Sequence, residues 1–187
     1  RQRQMCIRDR ATPVSRSFRV SDSATGLAQT GLDALADSLS HNGSISTFVV
    51  PADHAWTDIE ASLSELPDTP LTTVSDTTIS EVAAQLQSAS NSCLFLGGCT
   101  LREDALHQAG RIAAATGCRL VTETFFARQA RGVGRVPTER LAYFSEAATE
   151  QLAGIDLLVL AGTKVPVSFF AYPGKPSVLA PKVATQC

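Results

Sequence analysis

Apolar positions along this chain follow two alternating periods. From Asp22 to Ser40, the residues Leu27, Ala28, Gly31, Leu32, Leu35, Ala36 and Leu39 keep the three-to-four spacing of one helical face. His41-Asn42-Gly43 supplies a helix stop, since Gly43 can enter the left-handed region at no steric cost. Ile45 to Val50 (ISTFVV) then predicts a strand, closed by Pro51, which has no N–H to give to a ladder. This is half of an α/β unit.

Ser62 to Asp76 (SLSELPDTPLTTVSD) interrupts the pattern with Pro67, Pro70 and many Ser and Thr, and predicts a linker. Beyond it the alternation becomes regular. Ile79, Val82, Ala83 and Leu86 make a helical face opened by a capping box of Thr78 and Glu81. Ser92–Leu96 (SCLFL) predicts a buried strand ending at Gly97-Gly98. Leu101, Ala105, Ala109, Ile112 and Ala113 predict the next helix, ended by Gly117, and Cys118–Thr122 (CRLVT) a second strand. A long loop from Glu123 to Phe144 follows, broken by Gly132, Gly134 and Pro137. Ser145 can cap a short helix to Ala153, and Asp156–Leu160 (DLLVL) predicts a third strand ending at Ala161-Gly162. Strands alternating with helices imply right-handed crossovers and an α/β fold with an open parallel sheet. The three strands should be neighbours in that sheet, and Ile45–Val50 should lie outside it.

Composition narrows the function classes. With 44% hydrophobic and 18% charged residues in 187, the chain can bury a core and is not a disordered tail. Sixteen Lys and Arg against 18 Asp and Glu give a net charge of −2, so nothing favours a nucleic-acid partner. No apolar run approaches a membrane span, and a cytoplasmic protein with no membrane partner is the default expectation. The first ten residues, RQRQMCIRDR, carry four of the arginines, one acid and the single methionine. They resemble a translated sequencing-adapter read-through, and they are expected to lack order and contacts with the fold. Without them 12 basic and 17 acidic residues remain, a net charge of −5. The chain is expected to be an internal piece of a longer protein.

Candidate chemistry is sparse. Cys93, Cys99, Cys118 and Cys187 form no CxxC pair and have no His at ligand spacing, so no metal site is predicted. The strand-Gly97-Gly98-helix junction is the most suggestive feature, because such a turn lets backbone approach a phosphate at a helix N-terminus. Glu123, just beyond the second strand, stands where dinucleotide folds place an acid on a ribose hydroxyl, and Gly162 ends the third strand on the same edge. The full GxGxxG is missing, however, and a tight Gly-Gly turn beneath a helix explains the same residues. Gly97, Gly98 and Gly162 are therefore the only cofactor-binding candidates, and both readings stand. His41, His54 and His107 are scattered, and Gly174-Lys175-Pro176 lacks the Ser or Thr of a phosphate loop. Arg128, Arg131, Arg135 and Arg140 cluster in the long loop as an anion site, a subunit contact or plain exposed arginines. No catalytic residue is assigned.

Two stretches resemble a known family. FVVPADHAW (Phe48–Trp56) is similar to the end of the pyrimidine-binding domain of thiamine diphosphate-dependent enzymes. LFLGG, ALHQAGRIAAATGCRLVTETF and GIDLLVLAG resemble the start of their central, Rossmann-like domain. RIAAATG with FFAYPGKPS (Phe169–Ser177) looks like the acetolactate synthase large subunit-like group, relatives of benzoylformate decarboxylases. The resemblance spans Ser15 to Pro181.

It implies a domain layout: residues 1–10 extraneous, 11–57 the end of the pyrimidine-binding domain, 58–77 a linker, and 78–187 most of the central domain. It also implies a longer, homo-oligomeric parent that uses thiamine diphosphate and magnesium on 2-oxo acids, through decarboxylation and carboligation. The alternatives are a benzoylformate decarboxylase-like lyase and a nucleotide- or FAD-binding module without that coenzyme. The family's activating glutamate and its Gly-Asp-Gly…Asn magnesium motif have no counterpart in this sequence. This chain alone is therefore expected neither to bind the coenzyme tightly nor to decarboxylate. Some members hold FAD with glycines that Gly97 and Gly98 match. The arginine and paired aspartates of those members are replaced here by Thr163-Lys164-Val165-Pro166, which speaks against FAD.

Overall fold

The computed structural model describes residues 2–40, 43–60, 65–68, 73–181 and 185–186. His41, Asn42, Pro70 and Cys187, and residues 62–64 of the expected linker, lie outside them. The chain forms two compact units, Arg1–Thr73 and Val74–Cys187.

The first unit holds α1 (Gln2–Ala11), β1 (Ser17–Val20), α2 (Leu27–Leu39), β2 (Ser46–Val49) and α3 (Ala52–Trp56). β1 and β2 pair in parallel as a two-stranded sheet, with Phe18 opposite Thr47 and Val20 opposite Val49. β1 was not predicted, because SFRV is too short and too polar to show a period. α2 starts five residues later than expected. The Ser23 hydroxyl takes the Gly26 N–H at 3.0 Å and holds the chain in a turn before the helix. Its buried residue is Ala34, while Leu35 and Leu39 of the predicted face are exposed. Arg19 of β1 bonds Asp37 of this helix at 2.6 and 3.1 Å, and Gly31 faces the Phe48 ring.

The amino-terminal segment corrects the expectation of disorder and isolation. It is helical, Ala11 is buried, and the Arg8 guanidinium lies 4.5 Å above the Phe18 ring. An Arg-rich, Gly-free and Pro-free decapeptide has adequate helix propensity whatever its origin.

The second unit holds α4 (Asp76–Ser88), β3 (Ser92–Leu96), a short 3₁₀ turn (Gly98–Leu101), α5 (Glu103–Thr116), β4 (Arg119–Thr122), β5 (Glu139–Arg140), α6 (Ser145–Gln151), β6 (Leu157–Ala161) and β7 (Thr185–Gln186). The strands form one parallel sheet in the order β5-β4-β3-β6-β7. The expected parallel neighbours are therefore neighbours, with β3 in the middle.

SCLFL reads as an unbroken apolar run because β3 is buried on both faces. Leu94 and Leu96 join Leu86, Leu106 and Ala109 of α4 and α5 in one core layer. Cys93 and Phe95 point the other way, into a layer with Ala148 of α6, Leu152 and Ile155. The period-2 alternation of side chains sorts Leu120 from Val121 and Val159 from Leu158 in the same manner. Helices thus cover both faces.

Several local expectations shift. α4 is capped by Ser75, whose hydroxyl accepts from Thr78 N–H at 3.2 Å, so the Thr78–Glu81 box does not form. Ile79 and Ile112 of the predicted faces are exposed, and Leu101 sits in the 3₁₀ turn instead of α5. Phe144, not Ser145, is the N-cap of α6, and the Ser145 hydroxyl bonds Glu146. The long loop contains β5, too short to register as a pattern. Gly117 does end α5, at φ +76°.

Candidate functional site

In an open parallel sheet the crevice lies at the carboxyl edge where the strand order reverses. Here β4 and β5 are added on one side of β3 and β6 on the other, which puts the reversal between β3 and β6. Gly97 and Gly98 follow β3 and Gly162 follows β6, so the structure brings the three candidate glycines together at this point.

They are pressed against each other. A Cβ on Gly162 would stand 2.6 Å from the Gly97 carbonyl oxygen, and one on Gly98 would stand 3.0 Å from the Gly162 carbonyl oxygen. Gly98 and Gly162 also have φ of +55° and +67°, where only glycine is unstrained. Gly97 is extended, but a Cβ there would meet Thr163 at 2.7 Å and the Glu123 carboxylate at 2.9 Å.

The polar groups here bond each other. Gly97 N–H points between the Ala161 carbonyl (3.0 Å) and the Thr100 hydroxyl (3.1 Å). That hydroxyl is in donating reach of the Gly97 and Ala161 carbonyls, at 2.7 and 3.1 Å. Glu123 follows β4 and accepts a hydrogen bond from the Thr163 hydroxyl at 3.1 Å. Neither Thr100 nor the bond from Thr163 to Glu123 is foreseen in the sequence, since a lone threonine after a glycine turn carries no distinctive signal.

Beside this edge opens a cleft of about 590 Å³, within the size range of small-molecule sites. Phe95 lies in its lining, and Glu123, Phe125, Lys164, Val165 and Phe169 surround it. Phe125 and Phe169 belong to a continuous aromatic surface with Tyr143, Phe144, Phe170 and Tyr172, whose ring centroids lie 4.9–5.9 Å apart. Each of the six is 39–65% exposed. Their scattered positions gave no period to detect. A second groove, about 670 Å³, runs beside α5 along Arg111, Cys118 and Val136, and its Glu139 is tied to Arg119 at 2.6 Å.

The other candidates are not brought together. His54 belongs to the first unit, with Nδ1 3.0 Å from the Ser21 hydroxyl, and His107 lies exposed on α5. Arg135 pairs with Glu103 at 3.0 Å, and Arg140 bonds the Thr124 carbonyl and lies 5.2 Å from the Phe126 ring centroid. Two of the four loop arginines, Arg135 and Arg140, are thus engaged within the fold. Lys175 pairs with Glu146 at 2.9 Å.

The site does not fit thiamine diphosphate with magnesium. Among the described residues no group of three or more His, Cys, Asp or Glu stands together as metal ligands. The only buried side-chain polar atom without a partner among them is Thr122 Oγ1, within β4. The cleft offers one carboxylate and one ammonium, Glu123 and Lys164, with no nucleophile–base pair beside them. No helix among the described residues is long and apolar enough to cross a membrane.

No family model matches the chain. It is 43% identical over 156 residues to "Putative acetolactate synthase large subunit IlvX" of Mycobacterium tuberculosis, a match covering 82% of this chain and 30% of that protein. In fold it is similar to a solved "putative thiamin diphosphate-dependent enzyme" from Mycobacterium smegmatis, with a TM-score of 0.70 and 15% identity over 92% of this chain and 33% of that one. It is also similar to the thiamine diphosphate-dependent 4-hydroxybenzoylformate decarboxylase of Rhodococcus jostii RHA1, with a TM-score of 0.63 and 17% identity over 93% and 33% of the two chains. A benzoylformate decarboxylase from Polynucleobacter necessarius gives a TM-score of 0.62 and 16% identity over 92% and 32%. The chain thus spans about a third of the length of the proteins it matches. Sequence and fold agree, and this chain is a relative of the thiamine diphosphate-dependent enzymes of the acetolactate synthase large subunit-like group.

Proposed function

We propose that this chain is the junction between two domains of a thiamine diphosphate- and magnesium-dependent enzyme that decarboxylates a 2-oxo acid and transfers the resulting fragment to an acceptor. In this reading residues 11–57 end the pyrimidine-binding domain, 58–77 link, and 78–187 form most of the central domain of a homo-oligomeric, cytoplasmic parent. The observation that carries it is the 43% identity to the acetolactate synthase-type relative. The six-ring aromatic surface supports it, because an apolar patch of this kind on a free unit marks a face used in packing. The coenzyme, held by the parent, would supply a nucleophilic carbon and an electron sink for decarboxylation. This chain's part is structural: its sheet edge and aromatic loops form a rim.

The test is a purified full-length parent supplied with coenzyme and magnesium, assayed separately on pyruvate and on benzoylformate. Acetolactate from pyruvate is the expected result. Benzaldehyde from benzoylformate without carboligation would favour the lyase alternative, and no coenzyme-dependent loss of either 2-oxo acid would sink both. The 187-residue chain alone should show no saturable heat with coenzyme and magnesium at micromolar concentration.

A further inference from the structure

We infer that the Gly97-Gly98 turn is an internal clasp that joins the ends of β3 and β6 beside the cleft, and that this turn holds neither FAD nor a nucleoside diphosphate. The inference does not depend on the coenzyme reading, and it concerns the one edge where this topology places ligands.

A phosphate-binding turn needs backbone N–H groups aimed outward, room for oxygens against the glycines, and a helix whose first turn welcomes negative charge. Gly97 meets none of these requirements. Gly97 N–H is spent inside the fold, on the Ala161 carbonyl and the Thr100 hydroxyl. On the side where a Cβ would stand the glycines are crowded: Thr163 and Glu123 lie against Gly97, the Gly162 carbonyl against Gly98, and the Gly97 carbonyl and the Thr100 methyl against Gly162. The segment after Gly97 is a four-residue 3₁₀ turn, and α5 begins only at Glu103. Its first turn carries Glu103 and Asp104, and the Glu123 carboxylate faces Gly97 from the next strand. The Glu123 carboxylate, facing Gly97, opposes a diphosphate.

What the glycines do instead is let two strand ends touch. With no Cβ on either side, the backbones after β3 and β6 come together, and Thr100 pins them through one hydroxyl shared among Gly97 and Ala161. The same residue types that read as a nucleotide turn thus serve a closed junction.

The experiment has two arms on the whole chain. FAD binding is followed by flavin fluorescence anisotropy and ADP binding by calorimetry, with ligand up to about 100 μM. Neither should saturate; a dissociation constant in the low micromolar range for either would overturn the inference. The second arm is Thr100→Val, which keeps the shape and removes the hydroxyl. Its melting midpoint should fall by about 2–6 °C, and failure to melt cooperatively counts as the same result. An unchanged midpoint would mean that Thr100 is no clasp.

Discussion

Gly162 stands so close to Gly97 that a single added methyl on the former would lie 2.6 Å from the carbonyl oxygen of the latter. The contact joins the ends of β3 and β6, the two strands on either side of the chain reversal. It involves backbone alone on one side, so no side-chain rotation can relieve it.

Gly162→Ala should therefore cost about 2–4 kcal/mol, from the left-handed penalty plus the backbone clash. Gly117→Ala is the control. Gly117 has φ +76° but nothing within 4 Å of a Cβ, so only the conformational penalty of about 1–2 kcal/mol applies. Urea unfolding of both variants measures the difference; equal losses would mean that the strand ends separate easily.

Phe95 and Ile155 test the layer between the sheet and α6. Both are essentially inaccessible to solvent. Phe95→Ala should destabilise by about 3–5 kcal/mol and Ile155→Val by about 0.5–1.5 kcal/mol. Denaturant midpoints report both, and a Phe95→Ala loss below that of Ile155→Val would contradict the packing described.

Arg19 and Asp37 give the first unit a pH dependence. The guanidinium hydrogen bond holds the Asp37 carboxyl below its usual value. A depressed carboxyl contributes stability that is present above its unfolded pKa, about 4, and is lost as pH falls through the lower folded value. The pair is about one-third exposed on both sides, which limits it to about 1 kcal/mol. Asp37→Asn should cost that much at pH 7 and progressively less below pH 4, measured by unfolding at both pH values.

The cysteines should separate by reactivity. Burial pushes the Cys93 thiol up to about 12, and Cys118 is also buried, while Cys6 and Cys99 are exposed. Iodoacetamide at pH 8 should label Cys6 and Cys99 in the folded chain and reach Cys93 and Cys118 only after unfolding, as read by peptide mass spectrometry. A raised thiol pKa favours the fold below about pH 9, and that contribution is lost as pH rises towards 12. Rapid labelling of native Cys93 would contradict its burial.

The strands of the second unit were legible because burial on both faces leaves an uninterrupted apolar run, as in SCLFL and DLLVL. β1 and β5 were not, since strands of four and two residues at a sheet edge carry too few apolar positions to show a period. Helix faces were read correctly in period but not always in orientation. Leu35 and Leu39 keep helical spacing, yet both are exposed, while Asp37 between them bonds Arg19 across 18 residues of sequence.

For the site, the sequence by itself determined where glycine was required and that Glu123 would stand just beyond a strand, because both are consequences of local chemistry. It also determined the kinship with thiamine diphosphate-dependent enzymes, through residue identities that survive in a relative. Only the tertiary structure decided what the glycines are for. Gly97 and Gly162 are separated by three crossovers, and nothing in either segment alone reveals that the two backbones lie against each other. The aromatic surface has the same origin. Phe125, Tyr143 and Phe169 come from three different loops and become neighbours because parallel strands deliver successive loops to one edge of the sheet.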